Sequence, residues 1–274
     1  MSGVNFSYVD SALAHFESGG EAPPFWRHFH WGLFDEPGRA DDSPERYFAA
    51  AEALTEHVVT AAGVADGRDV LDVGCGFGGT LDHVAHRNDG CRLVGLNIDE
   101  RQVQWAQKLL GNPAVTFVTA DGCSLPVASG SLDHVLAVEC IFHFPSRKTF
   151  FLEVARVLRP GGTLALSDFV MAPGALALVA DRMTSSAAGM GEDSWYGHMA
   201  KPLTSEGYRR LAHRTGLEVL VDDDVNARTV PTYAALRRLA DEASSADGVT
   251  SIDGLEELAT TGALGYHVVS FRKP

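Results

Sequence analysis

Four acids, an asparagine and a histidine stand where short apolar runs stop: Asp72, Asn97, Asp121, Glu139, His143 and Asp168. Asp72 lies in the run VLDVGCGFGG, Val70 to Gly79. Val70, Leu71 and Val73 suit a buried strand, and the glycines behind them let the backbone turn sharply and approach a ligand where a Cβ would clash. Gly74, Gly76 and Gly79 satisfy G-x-G-x-x-G, by itself a weak sign of dinucleotide binding. A carboxylate two residues before the first glycine is costly to bury unless it meets a cation or hydrogen-bond donors. A ligand ammonium would satisfy it.

The elements that must hold these residues alternate. Phe6, Val9, Leu13 and Phe16 fall at helical spacing before Ser18-Gly19-Gly20, and Ser43-Pro44 supplies an N-cap and first-turn proline for a helix to about Ala62. Strand Val70 to Val73 precedes helix Thr80 to Arg87, then strand Arg92 to Leu96 and helix Glu100 to Leu110, with Asp99 and Gln102 placed as a capping box. Strands Val115 to Thr119 and Asp133 to Val138 follow, then helix Arg147 to Leu158, a Pro160-Gly161-Gly162 turn and strand Thr163 to Ser167. Thr204 to Thr215 reads as a helix stopped by Gly216, Glu218 to Val221 as a strand, and Tyr266 to Phe271 as a last strand after two helical stretches. This alternation predicts an α/β fold, a doubly wound and mostly parallel sheet with ligands outside the carboxyl ends of its strands. The predicted division is an amino-terminal helical cap (1–62), a cofactor-binding core (63–172), a lid insertion (173–203) and a carboxyl-terminal completion of the core (204–274).

The chain has 274 residues, 45% of them hydrophobic, enough for a full core. Its formal net charge of −14 and pI near 5.1 argue against nucleic acid or an anionic membrane as partner and favour a small-molecule substrate. Cys75, Cys91, Cys123 and Cys140 form no C-x-x-C, so the sequence suggests neither zinc nor a disulfide framework, and free thiols fit a reducing compartment. No cluster has metal-ligand spacing, and no metal is expected. The amino terminus lacks a signal-peptide core and no run reaches spanning length, so a soluble cytoplasmic protein is expected. The aromatic amino-terminal cap is a candidate interface for a homo-oligomer.

VLDVGCGFGG resembles the first motif of the class I S-adenosylmethionine-dependent methyltransferases, and the likeness extends over about residues 50 to 170. It implies a seven-stranded sheet and S-adenosyl-L-methionine as cofactor. Carried over, Asp72, Gly74 and Gly76 hold the methionine part, while Gly78 and Gly79 let the helix pack close. Most of the family has an acid for the ribose hydroxyls where GLNID, Gly95 to Asp99, has Asn97. Sterol-type and related C-methyltransferases are similar to this chain in having Asn there. Gln102, in the first turn of the next helix, joins the cofactor set. In TADGCSLP, Asp121 is implied to accept the adenine amino hydrogen, with the amides of Gly122 and Cys123 on ring nitrogens. LRPGG, Leu158 to Gly162, is typical of the family and structural.

Strands four and five are neighbours in this fold, so His143 and Asp168 are expected side by side. An imidazole with an ordinary pKa near 6.5 suits removal of an acceptor proton, and a carboxylate behind it would fix the tautomer. Related O-methyltransferases often carry this His and Asp. Glu139, expected beside the sulfonium, is a cofactor contact and the rival base. His28, His30 and Trp31 resemble an H-x-G-Y stretch laid across the cofactor, and Tyr8 is a further reach from the cap. Phe142, Phe144, Met190, Trp195, Tyr196 and Met199 are expected to wall an apolar acceptor pocket. The leading expectation is O-methylation of a small apolar secondary metabolite or its sugar. C-methylation of an alkene, prenyl or sterol-like substrate, with Glu139 as base, stays open. So do a non-methylating cyclase or binding module and, on the glycine spacing alone, a nicotinamide oxidoreductase.

Overall fold

The computed structural model describes residues 7–18, 27–184, 197, 199–242 and 245–274. Seven strands form one sheet: β1 Asp69–Val73, β2 Arg92–Asn97, β3 Val115–Thr119, β4 Leu132–Val138, β5 Leu158–Met171, β6 Glu218–Asp224 and β7 Leu264–Arg272, in the order β3-β2-β1-β4-β5-β7-β6. Only β7 runs antiparallel, wedged between β5 and β6. The order reverses between β1 and β4. At such a switch point the connections leave in opposite directions and open a crevice at the strands' carboxyl ends.

The helices are α1 Ser7–Glu17, α2 Pro44–Ala62, α3 Gly79–Arg87, α4 Glu100–Leu110, α5 Arg147–Val157, α6 Leu176–Thr184, α7 Ser205–Thr215, α8 Asn226–Thr229, α9 Thr232–Glu242 and α10 Ala246–Thr260. Local chemistry sets several of their ends. Ser43 caps α2 ahead of Pro44, Thr204 accepts the Gly207 amide at the start of α7, and Gly63 and Gly216 close those helices in the left-handed region. The expected capping box at α4 does not form: Asp99 accepts the Arg101 amide at 2.9 Å, while its own N–H donates to Asn97 Oδ1 at 3.0 Å. Gln102 instead meets the Asn97 amide at 3.4 Å.

Strand pleating divides the core into two layers. Val70, Leu136, Ala165, Phe169 and Val268 face α2, whose Leu54 and Val58 are fully buried against them. Leu71, Val135, Leu164, Leu166 and Phe271 face α5 and α7. The boundary expected at residue 62 therefore cuts through packed core, because α2 is a layer of the sheet domain. A separate cluster docks α1: Phe16 stacks on Trp105 at 4.9 Å and meets Phe77 edge-on at 5.2 Å. Of the expected lid, α6 is described, and Leu203 bridges to Val170. Met190, Trp195 and Tyr196 lie outside the described residues. Among the described residues, no helix is long and apolar enough to cross a membrane.

The largest departure from the expected elements is β5, which continues to Met171. Its last four residues pair with β7, Asp168 opposite His267 and Phe169 opposite Tyr266. Asp168 thus lies inside the strand rather than past its end.

Candidate active site

A cavity of about 800 Å³ opens at the switch point, over the carboxyl ends of β1, β2 and β4 and the turn after β3. Asp72, Gly74, Gly76, Asn97, Gln102, Asp121, Gly122, Glu139 and His143 all line it. Residues scattered over seventy-odd positions of sequence meet because parallel strands end together.

At Asp72 the burial cost foreseen from sequence is visible. The side chain is 1% exposed, Oδ2 has no hydrogen-bond partner, and burial pushes its carboxyl up to about 8. An orphaned carboxylate oxygen in a cavity wall fits an ammonium group. The glycine loop keeps the floor open. Gly74 has φ 75°, and a Cβ there would come within 2.5 Å of Cys140 Cβ. Gly76 has φ 52° with nothing within 4 Å of the place a Cβ would take.

Asn97 and Gln102 are 7% and 6% exposed and bonded to each other. Asn97 Oδ1 accepts the Asp99 amide, so its second lone pair is what it can offer a hydroxyl. Asp121 is half-buried and accepts the Cys123 amide at 2.7 Å. That bond corrects one expectation. The Cys123 N–H is spent inside the turn, its thiol points to the Ser146 carbonyl at 3.6 Å, and the residue does not line the cavity. Gly122 does, and a Cβ there would meet Val73 at 2.9 Å and Phe144 at 3.1 Å.

Glu139 has φ 51°, the only positive φ among the described non-glycine residues, a strain of the kind found at functional sites. Its Oε2 accepts the Trp31 amide at 2.8 Å and the Tyr266 hydroxyl at 2.5 Å, which leaves the other oxygen to offer to the cavity. Its own N–H meets Ser167 Oγ at 3.1 Å, and Tyr266 also reaches that hydroxyl at 3.0 Å. Burial pushes Glu139 up to about 8 against these donors, and the Asp168 charge adds to the rise. The sequence reading missed Tyr266, Ser167 and the Trp31 amide as partners of Glu139. An isolated Tyr in an apolar strand gives no sign of what lies opposite it.

His143 ends the short 3₁₀ turn Ile141–His143 directly after β4 and is half-buried in the wall beside Phe144 and Pro145. The carboxylate expected behind it is held elsewhere. Asp168 is fully buried on the other face of β5, accepting from Arg147 Nη2 at 3.1 Å and from the Tyr208 hydroxyl, and it does not line the cavity. Pleating is the reason: Ser167 and Phe169 take the α2 face, so Asp168 must take the α5–α7 face.

Tyr8, His28, His30 and Phe144 join the wall. Phe142 and Met199 instead sit in the core, 4% and 9% exposed, and Trp31 packs against Tyr233 and Tyr266. The fold, the glycine loop and the orphaned acid fit a nucleotide-type cofactor that bears an ammonium.

Residues 71–166 match the family model described as a methyltransferase domain. The chain is 32% identical over 216 residues to the methyltransferase GfsG of Streptomyces halstedii, covering 77% of this chain and 73% of that protein. It is 30% identical over 256 residues to 27-O-demethylrifamycin SV methyltransferase of Amycolatopsis mediterranei, covering 89% and 91%. The solved structure of the [4+2]-cyclase SpnF superposes with a TM-score of 0.74 at 23% identity, covering 97% of this chain and 93% of that one, which shows the shared fold. The chain belongs to the class I S-adenosylmethionine-dependent methyltransferases, of the type that acts on small molecules. Its cofactor is S-adenosylmethionine, and Asp72 with the open Gly74–Gly76 loop fits that molecule's amino acid end.

Proposed function

We propose that this enzyme O-methylates a hydroxyl of a small, apolar secondary metabolite, with His143 as the general base. The observation that carries the reading is the place of His143: the first turn after β4 puts its ring in the wall of the cavity that also holds Asp72 and Asn97. The relative named for 27-O-demethylrifamycin SV supports oxygen as the acceptor atom.

When bound, the cofactor supplies an electrophilic methyl group on a sulfonium. The protein binds, aligns and takes a proton. Asp72 pairs with the ammonium, Asn97 and Gln102 meet the ribose, and Asp121 meets the adenine amino group. Tyr8, Phe29 and Phe144 offer the acceptor an apolar wall that excludes water. His143 accepts the hydroxyl proton, and Asp168 takes no part in orienting its ring, being committed to Arg147 and Tyr208.

The test is release of S-adenosylhomocysteine from a panel of hydroxylated polyketides and phenols. His143→Ala should lower kcat by about 10²-fold or more, with the Kd for S-adenosylhomocysteine within about twofold of wild type. An equal loss of both would remove His143 as base. Cofactor binding with no release on any acceptor would favour a cyclase or binding module.

The strained Glu139 favours a second reading. Its raised carboxyl and its second oxygen suit late proton removal in C-methylation of an alkene, prenyl or sterol-like substrate. Under that reading Glu139→Gln abolishes turnover and His143→Ala does not.

A further inference from the structure

Between β6 and β7 the chain makes α8, α9 and α10, and no described residue of theirs lines the cavity. They grip the segment that crosses the site instead. Four consecutive amides of that segment donate to four different parts of the chain: Trp31 to Glu139 Oε2 at 2.8 Å, Gly32 to Thr232 Oγ1 at 2.9 Å, Leu33 to the Ala50 carbonyl of α2 at 2.7 Å and Phe34 to the Arg228 carbonyl of α8 at 2.9 Å. Thr232 opens α9 and is fully buried, and its hydroxyl also reaches back to the Gly32 carbonyl at 3.4 Å. On the opposite side, a Cβ on Gly32 would come within 2.6 Å of Ala50 Cβ, so the backbone is pinned between α2 and α9.

The rest of the segment is fastened without Thr232. His28 Nε2 lies 2.8 Å from Glu52 Oε1, and Glu52 and Glu56 both meet His83 of α3, at 2.8 and 2.7 Å. The Trp31 ring packs against Phe169 at 5.2 Å and Tyr233 at 5.5 Å. What the Thr232 hydroxyl adds is a hold on the peptide unit next to the one that carries the Trp31 N–H. A hydrogen bond to a carboxylate is strong when it is short and aligned, so that hold bears on Glu139.

We propose that Thr232 is a positioning residue: by holding Gly32 it aims the Trp31 amide at Glu139, and so sets the charge with which Glu139 meets the cofactor's sulfonium. The inference rests on the reading of Glu139 as a cofactor contact, whichever atom accepts the methyl group. S-adenosylmethionine and S-adenosylhomocysteine share the ammonium that Asp72 takes and differ in the positive sulfur. An ionised Glu139 favours the charged donor over the spent product, and a protonated one does not.

The groups around Glu139 leave its charge finely balanced. Burial and the Asp168 charge oppose its ionisation, and the Tyr266 hydroxyl and the Trp31 amide favour it. Tyr8 of α1, Tyr47 of α2, Tyr233 of α9 and Tyr266 of β7 all feel its charge, and burial holds each phenol above its ordinary range, so they stay neutral. Burial likewise keeps the adjoining Cys140 thiol protonated. Asp72 and His143 share the cavity wall. Asp72 also titrates at about 8, but it meets the ammonium of both ligands, so its effect cancels in their ratio.

Thr232→Val removes the hydroxyl at nearly constant shape, Thr232→Ala removes it and leaves room, and Thr232→Ser keeps it. In cofactor-free protein carrying ¹³C-labelled glutamate, the acid dissociation constant of Glu139 should fall roughly threefold or more in the valine and alanine variants, and the serine variant should match wild type. Either of the first two suffices should the other not fold. Calorimetry over a series of pH values gives the Kd for S-adenosylmethionine and for S-adenosylhomocysteine. Preference for the former should rise with pH, and in Thr232→Val that rise should move to higher pH by the same factor. Thr229→Val is the control, because Thr229 is as deeply buried in α8 but donates within its own helix, to the Asn226 carbonyl at 3.0 Å. It should leave the titration of Glu139 where it is. An unmoved Glu139 in the folded valine or alanine variant, or an equal move in Thr229→Val, overturns the positioning role. A shifted Glu139 with a ligand preference that ignores it would uphold the aiming of Trp31 and overturn Glu139 as a contact of the sulfonium.

Discussion

Ser167 and Asp168 are consecutive residues of β5 that serve opposite faces of the sheet. Ser167 Oγ accepts from the Glu139 amide beside the cavity and lies 3.0 Å from the Tyr266 hydroxyl, while Asp168 is fully buried against Arg147 and Tyr208. One pleat separates the site from a structural ion pair that also anchors the chain ahead of α7, because Arg147 Nη1 donates to the Lys201 carbonyl at 2.9 Å.

Asp168→Asn should therefore act on stability. Removing one partner of a buried pair leaves Arg147 uncompensated and costs about 3–5 kcal/mol. Chemical denaturation should show that loss, while the folded variant keeps kcat within a few-fold. A drop of about 10²-fold or more in kcat with unchanged stability would put Asp168 in the chemistry after all.

Asp72 makes a pH prediction with a definite sign. Its carboxyl sits at about 8 in the folded protein, so between the ordinary carboxyl range and about 8 the folded state holds a proton that the unfolded state has lost. This contribution to stability is lost as pH rises through that window. Comparing Tm of wild type and Asp72→Asn in cofactor-free protein isolates it: the variant should gain on wild type as pH is raised from about 5 to 8. The same variant should bind S-adenosylhomocysteine at least about tenfold more weakly, having lost a charge-assisted bond.

Tyr266→Phe removes the hydroxyl that helps keep Glu139 ionised while leaving the ring against Trp31 and Phe169. The Glu139 carboxyl should then titrate above its present value of about 8, as followed by ¹³C NMR of the side chain. Stability should fall by about 1–3 kcal/mol, the cost of a buried group left unsatisfied.

Gly74 and Gly76 should separate in a paired experiment. Gly74→Ala meets Cys140 as well as the left-handed penalty, and should lose both fold stability and cofactor binding. Gly76→Ala has open space around it and should pay only the backbone cost of about 1–2 kcal/mol, so calorimetry should find it folded with weakened cofactor affinity.

Phe16 fixes α1 over the glycine loop through Phe77 and Trp105, and Tyr8 on that helix lines the cavity. Phe16→Ala should raise amide exchange along α1 and speed cofactor release, with little effect on exchange in β1 and β4.

Much of this was legible in the sequence. The short β-branched and apolar runs around Val70, Arg92, Val115 and Asp133 form parallel strands whose composition leaves few alternatives, and the acid before the glycine loop announced its own burial cost. Asp168 was misplaced because a strand ending at Ser167 would have freed it from the pleat. Pairing with β7, roughly a hundred residues away, lengthens β5, and no local pattern carries that. Cys123 went astray for a related reason: an Asp two residues upstream can cap its amide, and the local turn took the donor that the resemblance had assigned to adenine. Glu52 and Glu56 stand four apart on α2, a spacing that puts both on one face, but nothing nearby in sequence pointed to His83 as what they face.

The late position of β7 has a consequence for synthesis. Tyr266 comes after every other strand of the sheet, so the residue that fastens Glu139 leaves the ribosome only once the glycine loop and the strands that line the crevice have been made. Until then β5 has a bare edge, open to pairing with another nascent chain. The enzyme's productive folding therefore hinges on how soon β7, reached from β6 through α8, α9 and α10, inserts between β5 and β6.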